Sequence, residues 1–328
     1  MHKILFIQTA FIGDVILATS LVEKWKSTYP ASSVHFLLRK GNESILENNP
    51  HIEKIHVWEK KSAKWSSYYS LIKMIRKEEY SHLFNLHRFF SSGFLSFLSK
   101  AKYTSGFTKN PMSFFYSKKW EHKIGTDENP IHEIERNQKL ISQFTEGQPS
   151  RPKLYPSETD FDKVRILGPY ITISPGSVWF TKQWPAGKWT ALMDQINNNF
   201  KVFLLGGNND IKLCNMLKIN SSNKQVEIRA GQLSLLQSAA LMKGAAMNFV
   251  NDSAPLHLAS AVDAPVTALF CSTLPSFGFT PLSEDAVVLE TKENLGCRPC
   301  GLHGKKACPK RHFKCSNIEI QALLDRLK

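Results

Sequence analysis

Six cysteines in 328 residues are too few to staple a small disulfide scaffold. Two of them, Cys214 and Cys271, stand alone, and the other four crowd into the last 32 residues. No secretory leader is expected either. The opening MHKILFIQTAFIGD has one lysine, an apolar stretch broken by Asp14, and no small-residue cleavage site. No apolar run suits a membrane span: the uncharged stretch from Ala264 to Ser283 holds Pro265, Pro275, Pro281 and Gly278. Internal repeats and low-complexity tracts are absent, as is the GxxxxGK[ST] spacing of a P-loop. These absences lead to the expectation of a cytoplasmic globular chain.

What is present fits that class. Hydrophobic residues make up 42% of the chain and charged residues 21%, enough apolar surface for sizeable cores. The length suggests about two domains. Lys and Arg total 42 against 28 Asp and Glu, a formal charge of +14. Such an excess favours an anionic partner: nucleic acid, a phosphorylated small molecule or an acidic lipid face. Nucleic acid is the weakest of the three, because the basic residues are spread over both halves and no recognition module is present.

Short apolar runs alternate with helical spacing from the first residues. Strands are expected over Lys3–Gln8, Val34–Leu38, Lys54–Trp58 and His82–Leu86. Helices are expected over Val15–Lys26, Glu43–Asn48, Tyr68–Lys77 and Ser91–Leu98. Gly147–Asp160, with Pro149, Pro152 and Pro156, reads as a linker. The pattern then restarts. Strands are expected at Tyr170–Ser174, Val202–Leu205, Val226–Ile228, Met247–Val250 and Val266–Phe270, alternating with helices, and a last helix spans Ile318–Leu327. This order gives an α/β fold of two parallel sheets, with a cleft between the halves and ligands at the carboxyl ends of the strands.

Five segments are candidates for chemistry. In QTAFIGDVILAT, Gly13 permits a tight turn and Asp14 stands where the first strand gives way to the first helix. Asp14 reads either as a helix cap or as a general base. In SPGSVWFTKQWP, small and hydroxyl residues precede Lys182. That suits an anion, the alternative being a solvated loop lysine. In FVNDSAPLHLA a strand ends and a helix opens with Pro255 in its first turn, leaving an anion site at its start. A carboxylate beside a diphosphate is repelled, so Asp252 reads as a cap or as the partner of a neutral polyol. His257 reads as a packed histidine or a catalyst. Cys297, Cys300, Cys308 and Cys315 read as a zinc or iron–sulfur set, as free structural thiols or as a redox device, with His303 and His312 as substitute ligands. His87-Arg88 and Arg39-Lys40 end strands at one sheet edge, where they grip an anionic acceptor or simply meet water. The aromatic and basic stretch Phe107–Lys123 reads as a membrane-surface segment or a packed loop.

Taken in order, TAFIGDVILATS, LLRKGNESILENNPHIEKIHVWEK, SPGSVWFTKQWP, NDSAPLHLASAVDAPVTALF and the terminal cysteine segment resemble the ADP-heptose:lipopolysaccharide heptosyltransferases, glycosyltransferase family 9. The resemblance runs over essentially the whole chain. It implies a GT-B architecture of two Rossmann-like domains facing a cleft, with the C-terminal helix returning to the first domain. Residues 1–155 would bind the acceptor, residues 156–315 the donor, and residues 316–328 would form the returning helix. It implies an inverting enzyme, Asp14 as base, Lys182 stabilising the departing diphosphate and Ser177 donating to phosphate. Asp252 would bind heptose hydroxyls, and the amides of Ser253, Ala254 and Leu256, with His257 nearby, would line the donor. Thr9, Gly13, Arg39, His87 and Arg88 fall on the acceptor side.

The resemblance also implies ADP-heptose as donor, a phosphorylated glycolipid as acceptor, peripheral contact with the inner face of the cytoplasmic membrane and no cofactor for catalysis. Consistently, no acidic pair suits a metal-held diphosphate, Asn208-Asn209-Asp210 being a poor substitute. Ala254 stands where many members have glycine. A member that moves another nucleotide-linked sugar is the alternative.

Overall fold

A computed structural model describes residues 2–59 and 64–327. The chain divides into two units. One comprises Met1–Ile124 and Ile131–Tyr155; the other comprises Gly125–Pro130 and Pro156–Lys328.

The first unit runs β1 (Lys3–Ile7), α1 (Ile12–Thr28), β2 (Ser33–Arg39), β3 (Lys54–Trp58), α2 (Lys64–Lys77), β4 (His82–Asn85), α3 (Phe90–Leu98), β5 (Tyr103–Phe107), β6 (Lys118–Trp120) and α4 (Glu133–Gln138). Its six strands lie in the order β3-β2-β1-β4-β5-β6, every neighbouring pair parallel. The expected helix over Glu43–Asn48 is only a 3₁₀ turn, Glu43–Leu46. β5 and β6 were not expected from the sequence. β5 is polar and contains Gly106, against which the Tyr116 ring packs so closely that a Cβ would lie 2.3 Å from it. The stretch Phe107–Lys123 thus resolves into the end of β5, a buried anchor at Tyr116 and the edge strand β6.

The second unit runs α5 (Glu158–Lys163), β7 (Tyr170–Ser174), α6 (Ala186–Gln195), β8 (Lys201–Leu204), α7 (Ile211–Asn220), β9 (Val226–Ile228), α8 (Leu235–Gly244), β10 (Met247–Asn251), α9 (Ala254–Ala261), β11 (Val266–Phe270), β12 (Ala286–Glu290) and α10 (Ile320–Leu324). Its order, β12-β11-β10-β7-β8-β9, is again fully parallel. β7, β10 and β11 are buried along their whole length, as central parallel strands covered on both faces must be. Renumbered within its unit, each sheet has the doubly wound order 3-2-1-4-5-6, which reverses between its first and fourth strands. Ligands of such sheets bind outside the strand ends at that reversal.

Two details bear on the expected linker and closing helix. The linker stretch is not wholly irregular, because α5 starts inside it. Ser157 caps α5, its Oγ accepting from the Asp160 N–H at 3.2 Å while Asp160 accepts from the Ser157 N–H at 2.9 Å. The closing helix, α10, packs on α6 of the second unit. Ile318 and Leu323 are buried in one apolar cluster with Trp184, Trp189 and Leu192, and Leu324 and Leu327 pack against it. The indole N–H of Trp184 and the Lys188 ammonium both donate to the Ser316 carbonyl, at 3.1 and 2.9 Å, and fix the approach to α10.

At the amino ends of the first sheet's strands, the Tyr80 hydroxyl joins His35 Nδ1 at 2.7 Å and His56 Nε2 at 2.8 Å. Burial, helped by the charges of His35 and Lys54, lowers the pKa of His56 to about 4. Burial, with His2, lowers that of His82 to about 4 as well. The folded chain therefore refuses protons that the unfolded chain accepts near pH 6.5. These histidines contribute stability in full above pH 6.5, and it is lost as pH falls from there toward 4. The urea midpoint of the first unit is expected to drop between pH 7.5 and 5. A midpoint unchanged over that range would contradict these assignments.

Candidate active site

In the first unit the strand-order reversal lies between β1 and β4, and the loops that leave these strands meet there. Thr9 Oγ1 and His87 Nδ1 are 3.3 Å apart and both residues are buried. The loop after β4 is held from below. Asn85 Oδ1 accepts from the His87 N–H at 3.0 Å, and the Asn110 amide donates to the carbonyls of His87 and Phe89 at 2.8 and 3.0 Å. Arg88 points outward over the Phe89 ring, 5.4 Å from its centroid. Arg39, at the end of β2, lies over the Phe11 ring at 5.2 Å, so the ends of β1 and β2 share one rim.

Asp14 is not the N-cap of α1. The cap is Phe11, and Asp14 is the third helical residue, reaching back to accept the Phe11 N–H at 3.2 Å. Its carboxylate is half-buried in the first turn, with Gly13 beside it. The positive end of the helix favours a negative group at this place.

In the second unit the reversal lies between β7 and β10. Lys182 Nζ sits 2.7 Å from Asp252 Oδ2, and the side chains are 15% and 5% exposed. Thr273 Oγ1, just beyond β11, donates to the same carboxylate oxygen at 2.6 Å. Asp252 is thus an ion-pair partner and not a helix cap. The residue at the cap of α9 is Ser253, whose side chain makes no capping bond. Its hydroxyl reaches instead to the Gly176 and Asn251 carbonyls, at 3.4 Å each. The Leu256 N–H closes the first turn onto the Ser253 carbonyl at 3.1 Å, which commits it within the helix. Ala254 opens the helix ahead of Pro255, and His257 is buried with its ring edge-on to Phe279.

Asn251 ties the loops after β7 and β10 together. Its Nδ2 donates to the Pro175 carbonyl at 2.8 Å, and its Oδ1 accepts from the Trp184 N–H at 3.0 Å. The Ser177 carbonyl accepts from Gln183 Nε2 at 2.6 Å. The buried Ser174 hydroxyl, where β7 gives way to this loop, has no hydrogen-bond partner among the described residues.

The cysteine segment braces these loops. Thr181 and Lys305 exchange two bonds: the Thr181 N–H to the Lys305 carbonyl at 3.1 Å, and the Lys305 N–H to Thr181 Oγ1 at 2.8 Å. Gly304, with φ +80°, lies so near that a Cβ would be 3.2 Å from Lys182 Cγ. Arg298 donates to the Phe270 and Thr273 carbonyls at 3.1 and 2.8 Å.

The cysteines themselves are free thiols. Burial and the neighbouring Cys300 push Cys315 up to about 11. Cys297 Sγ approaches His312 Nε2 at 3.7 Å. Among the described residues, only His35, His56 and Glu78 bring three ligand atoms within 4.8 Å of one another, so the thiols as placed do not close a tetrahedral set. The histidine group suits a cation poorly, because Lys3 and Lys54 already hold Glu78, at 3.0 and 2.5 Å. Among the described residues no helix is long and apolar enough to cross a membrane.

The model of glycosyltransferase family 9 (heptosyltransferase) matches residues 68–309. The chain is 26% identical over 279 residues to lipopolysaccharide heptosyltransferase 3 of Escherichia coli, covering 80% of this chain and 82% of that one. Its fold matches the family 9 glycosyltransferase structure from Veillonella parvula with a TM-score of 0.86, at 21% identity over 99% and 96% of the two chains. It matches E. coli ADP-heptose LPS heptosyltransferase II with a TM-score of 0.81, at 21% identity over 99% and 97%. With two doubly wound sheets and a matched segment that takes in the loops after β7 and β10, the chain belongs to glycosyltransferase family 9, the heptosyltransferases, and is a glycosyltransferase of GT-B fold.

Proposed function

We propose that this chain moves heptose from ADP-heptose to the phosphorylated inner core of lipopolysaccharide, a Kdo- or heptose-lipid A acceptor, with inversion at the anomeric carbon. The observation that carries the reading is the division of charge between the two strand-order reversals. The first unit offers a half-buried carboxylate, Asp14, and the second an ammonium, Lys182, aimed by Asp252. Glycosyl transfer from a nucleoside diphosphate sugar requires both, a proton acceptor for the incoming hydroxyl and a cation for the leaving diphosphate.

In this proposal the first unit binds the acceptor and the second the donor. Asp14 takes the proton of the acceptor hydroxyl as that oxygen attacks the anomeric carbon. The bond from that carbon to the diphosphate oxygen breaks, and ADP leaves with the electron pair. Lys182 meets the charge that develops on the diphosphate. Ser177, the Ser174 hydroxyl and the amides of Ser253 and Ala254 donate to phosphate oxygens. Asp252 holds Lys182 with one oxygen and accepts from sugar hydroxyls with the other. His257 packs beneath the donor loop. Thr9, Gly13, Arg39, His87 and Arg88 receive the acceptor, the two arginines meeting its phosphates.

Ammonium, hydroxyls and amides carry the diphosphate without a metal, and no cofactor takes part. The lipid on the acceptor brings the chain to the inner face of the cytoplasmic membrane. The test is the mass of a Kdo-lipid A acceptor after incubation with ADP-heptose. A gain of one heptose residue supports the reading, and a gain only with another nucleotide sugar moves the chain to a different donor.

A further inference from the structure

Residues 80–120 contain no aspartate or glutamate, yet they hold Arg88, Lys100, Lys102, Lys109, Lys118 and Lys119. Within this stretch α3 carries Phe90, Phe94 and Phe97 at helical spacing, on one face. Phe90 and Phe97 are 55% and 45% exposed, and Phe90 stacks on Phe94 with centroids 5.5 Å apart.

Gly93 explains what joins this face. A Cβ there would lie 2.1 Å from Asn110 Oδ1 and 2.7 Å from Met112 Cβ, so α3 packs directly on the loop that follows β5. That approach sets the turn Ser113–Phe115 beside the end of α3. The Phe97 and Phe115 centroids are 4.2 Å apart, as are those of Phe115 and Phe114. Phe114 and Phe115 are 66% and 46% exposed. The turn is held firmly, since Met112 is buried and the Asn110 amide is bonded to two carbonyls of the loop after β4. Lys100, Lys102, Lys109 and Lys119, on the same segments, are exposed.

Exposed rings gathered on one face normally mark an interaction surface. Here the charge selects the partner. A second copy packed through this same face would set lysines against lysines with no carboxylate between them. A bilayer of anionic phospholipid instead offers an acyl boundary for the rings and phosphates for the ammoniums. We propose that α3 and the Ser113–Phe115 turn form a docking face for an anionic phospholipid surface. The inference rests on the lipid-borne acceptor of the proposed function. It is consistent with the loop order too: α3 follows directly from His87-Arg88, on the proposed acceptor side.

The experiment is co-sedimentation of the full chain with vesicles free of any glycolipid, either phosphatidylcholine alone or phosphatidylcholine mixed equally with phosphatidylglycerol. The chain is expected to sediment with the phosphatidylglycerol vesicles. The Phe114→Ser/Phe115→Ser variant should bind at least ~10-fold more weakly. Lys109→Glu/Lys119→Glu should weaken binding as well. Both variants should keep the wild-type circular dichroism and turn over a delipidated, soluble acceptor at the wild-type rate.

Failure of the wild type to bind, unchanged binding by the phenylalanine variant, or lost turnover on the soluble acceptor would each overturn the proposal. So would a dimer that the phenylalanine variant dissociates. Vesicle binding as described without consumption of ADP-heptose would uphold the face and refute the proposed donor. Heptose transfer without vesicle binding would do the reverse.

Discussion

Asp14→Asn is expected to lower turnover by at least ~10²-fold while leaving the affinity for the nucleotide sugar unchanged. Asparagine is the informative replacement. Asp14 sits at the third position of α1 and accepts the Phe11 N–H. The asparagine side-chain oxygen accepts the same bond, so the start of α1 is kept and only the ability to take a proton is lost. Alanine would confuse the result, because it also removes a bond at the helix start worth about 1 kcal/mol. Single-turnover rates and donor titration separate the two effects. Wild-type turnover, or an equal loss of donor affinity, would remove Asp14 from the role of base.

Lys182→Met carries the second large effect, and it acts on two quantities. Turnover should fall ~10²- to 10³-fold, the usual loss when one group facing developing charge is removed. Stability should fall as well, by about 3 kcal/mol, because the buried Asp252 carboxylate loses its counter-ion and keeps Thr273. A double variant tells them apart. In Lys182→Met/Asp252→Leu no unpaired charge is left, so the urea midpoint should return most of the way to wild type while turnover stays low. If the double variant recovers turnover along with stability, Lys182 serves the fold and not the leaving group.

The parallel sheets were legible because their central strands are continuous apolar runs. The bounds expected for Tyr170–Ser174, Val226–Ile228 and Val266–Phe270 are those observed. What escaped has a physical reason in each case. β5 reads Tyr-Thr-Ser-Gly-Phe, and its Gly106 makes sense only once Tyr116 is packed on it. β6 is a three-residue edge strand with two lysines, and it is paired on one side only. β12 is another edge, beyond a proline-rich loop, half-exposed along most of its length. The seat of α10 was not legible because five residues with a short apolar face name no partner; within the second unit α6 and the Trp184–Trp189 pair supply it.

The same holds at the candidate site. Asp14, Lys182 and Asp252 stand out in the sequence because each follows a strand in a small-residue turn. That Lys182 and Asp252 pair with each other is a property of adjacent parallel strands, β7 and β10, and no spacing along the chain announces it. Thr273, Asn251 and Arg298 escaped notice for that reason. Each acts on a neighbouring strand or loop: Thr273 on Asp252, Asn251 on Pro175 and Trp184, Arg298 on Phe270 and Thr273. A threonine, an asparagine and an arginine are ordinary until the sheet brings their partners within reach.

The central proposal is that the chain moves heptose from ADP-heptose, with Asp14 taking the acceptor's proton and Lys182 meeting the charge on the departing ADP. The most direct measurement is the intact mass of a Kdo-lipid A acceptor incubated with the purified chain and ADP-heptose, with other nucleotide sugars run in parallel. The account predicts that the acceptor grows by one heptose residue with ADP-heptose, that ADP is released in equal amount, and that the other donors are left intact. An acceptor of unchanged mass with ADP-heptose, alongside growth with a different nucleotide sugar, would contradict it.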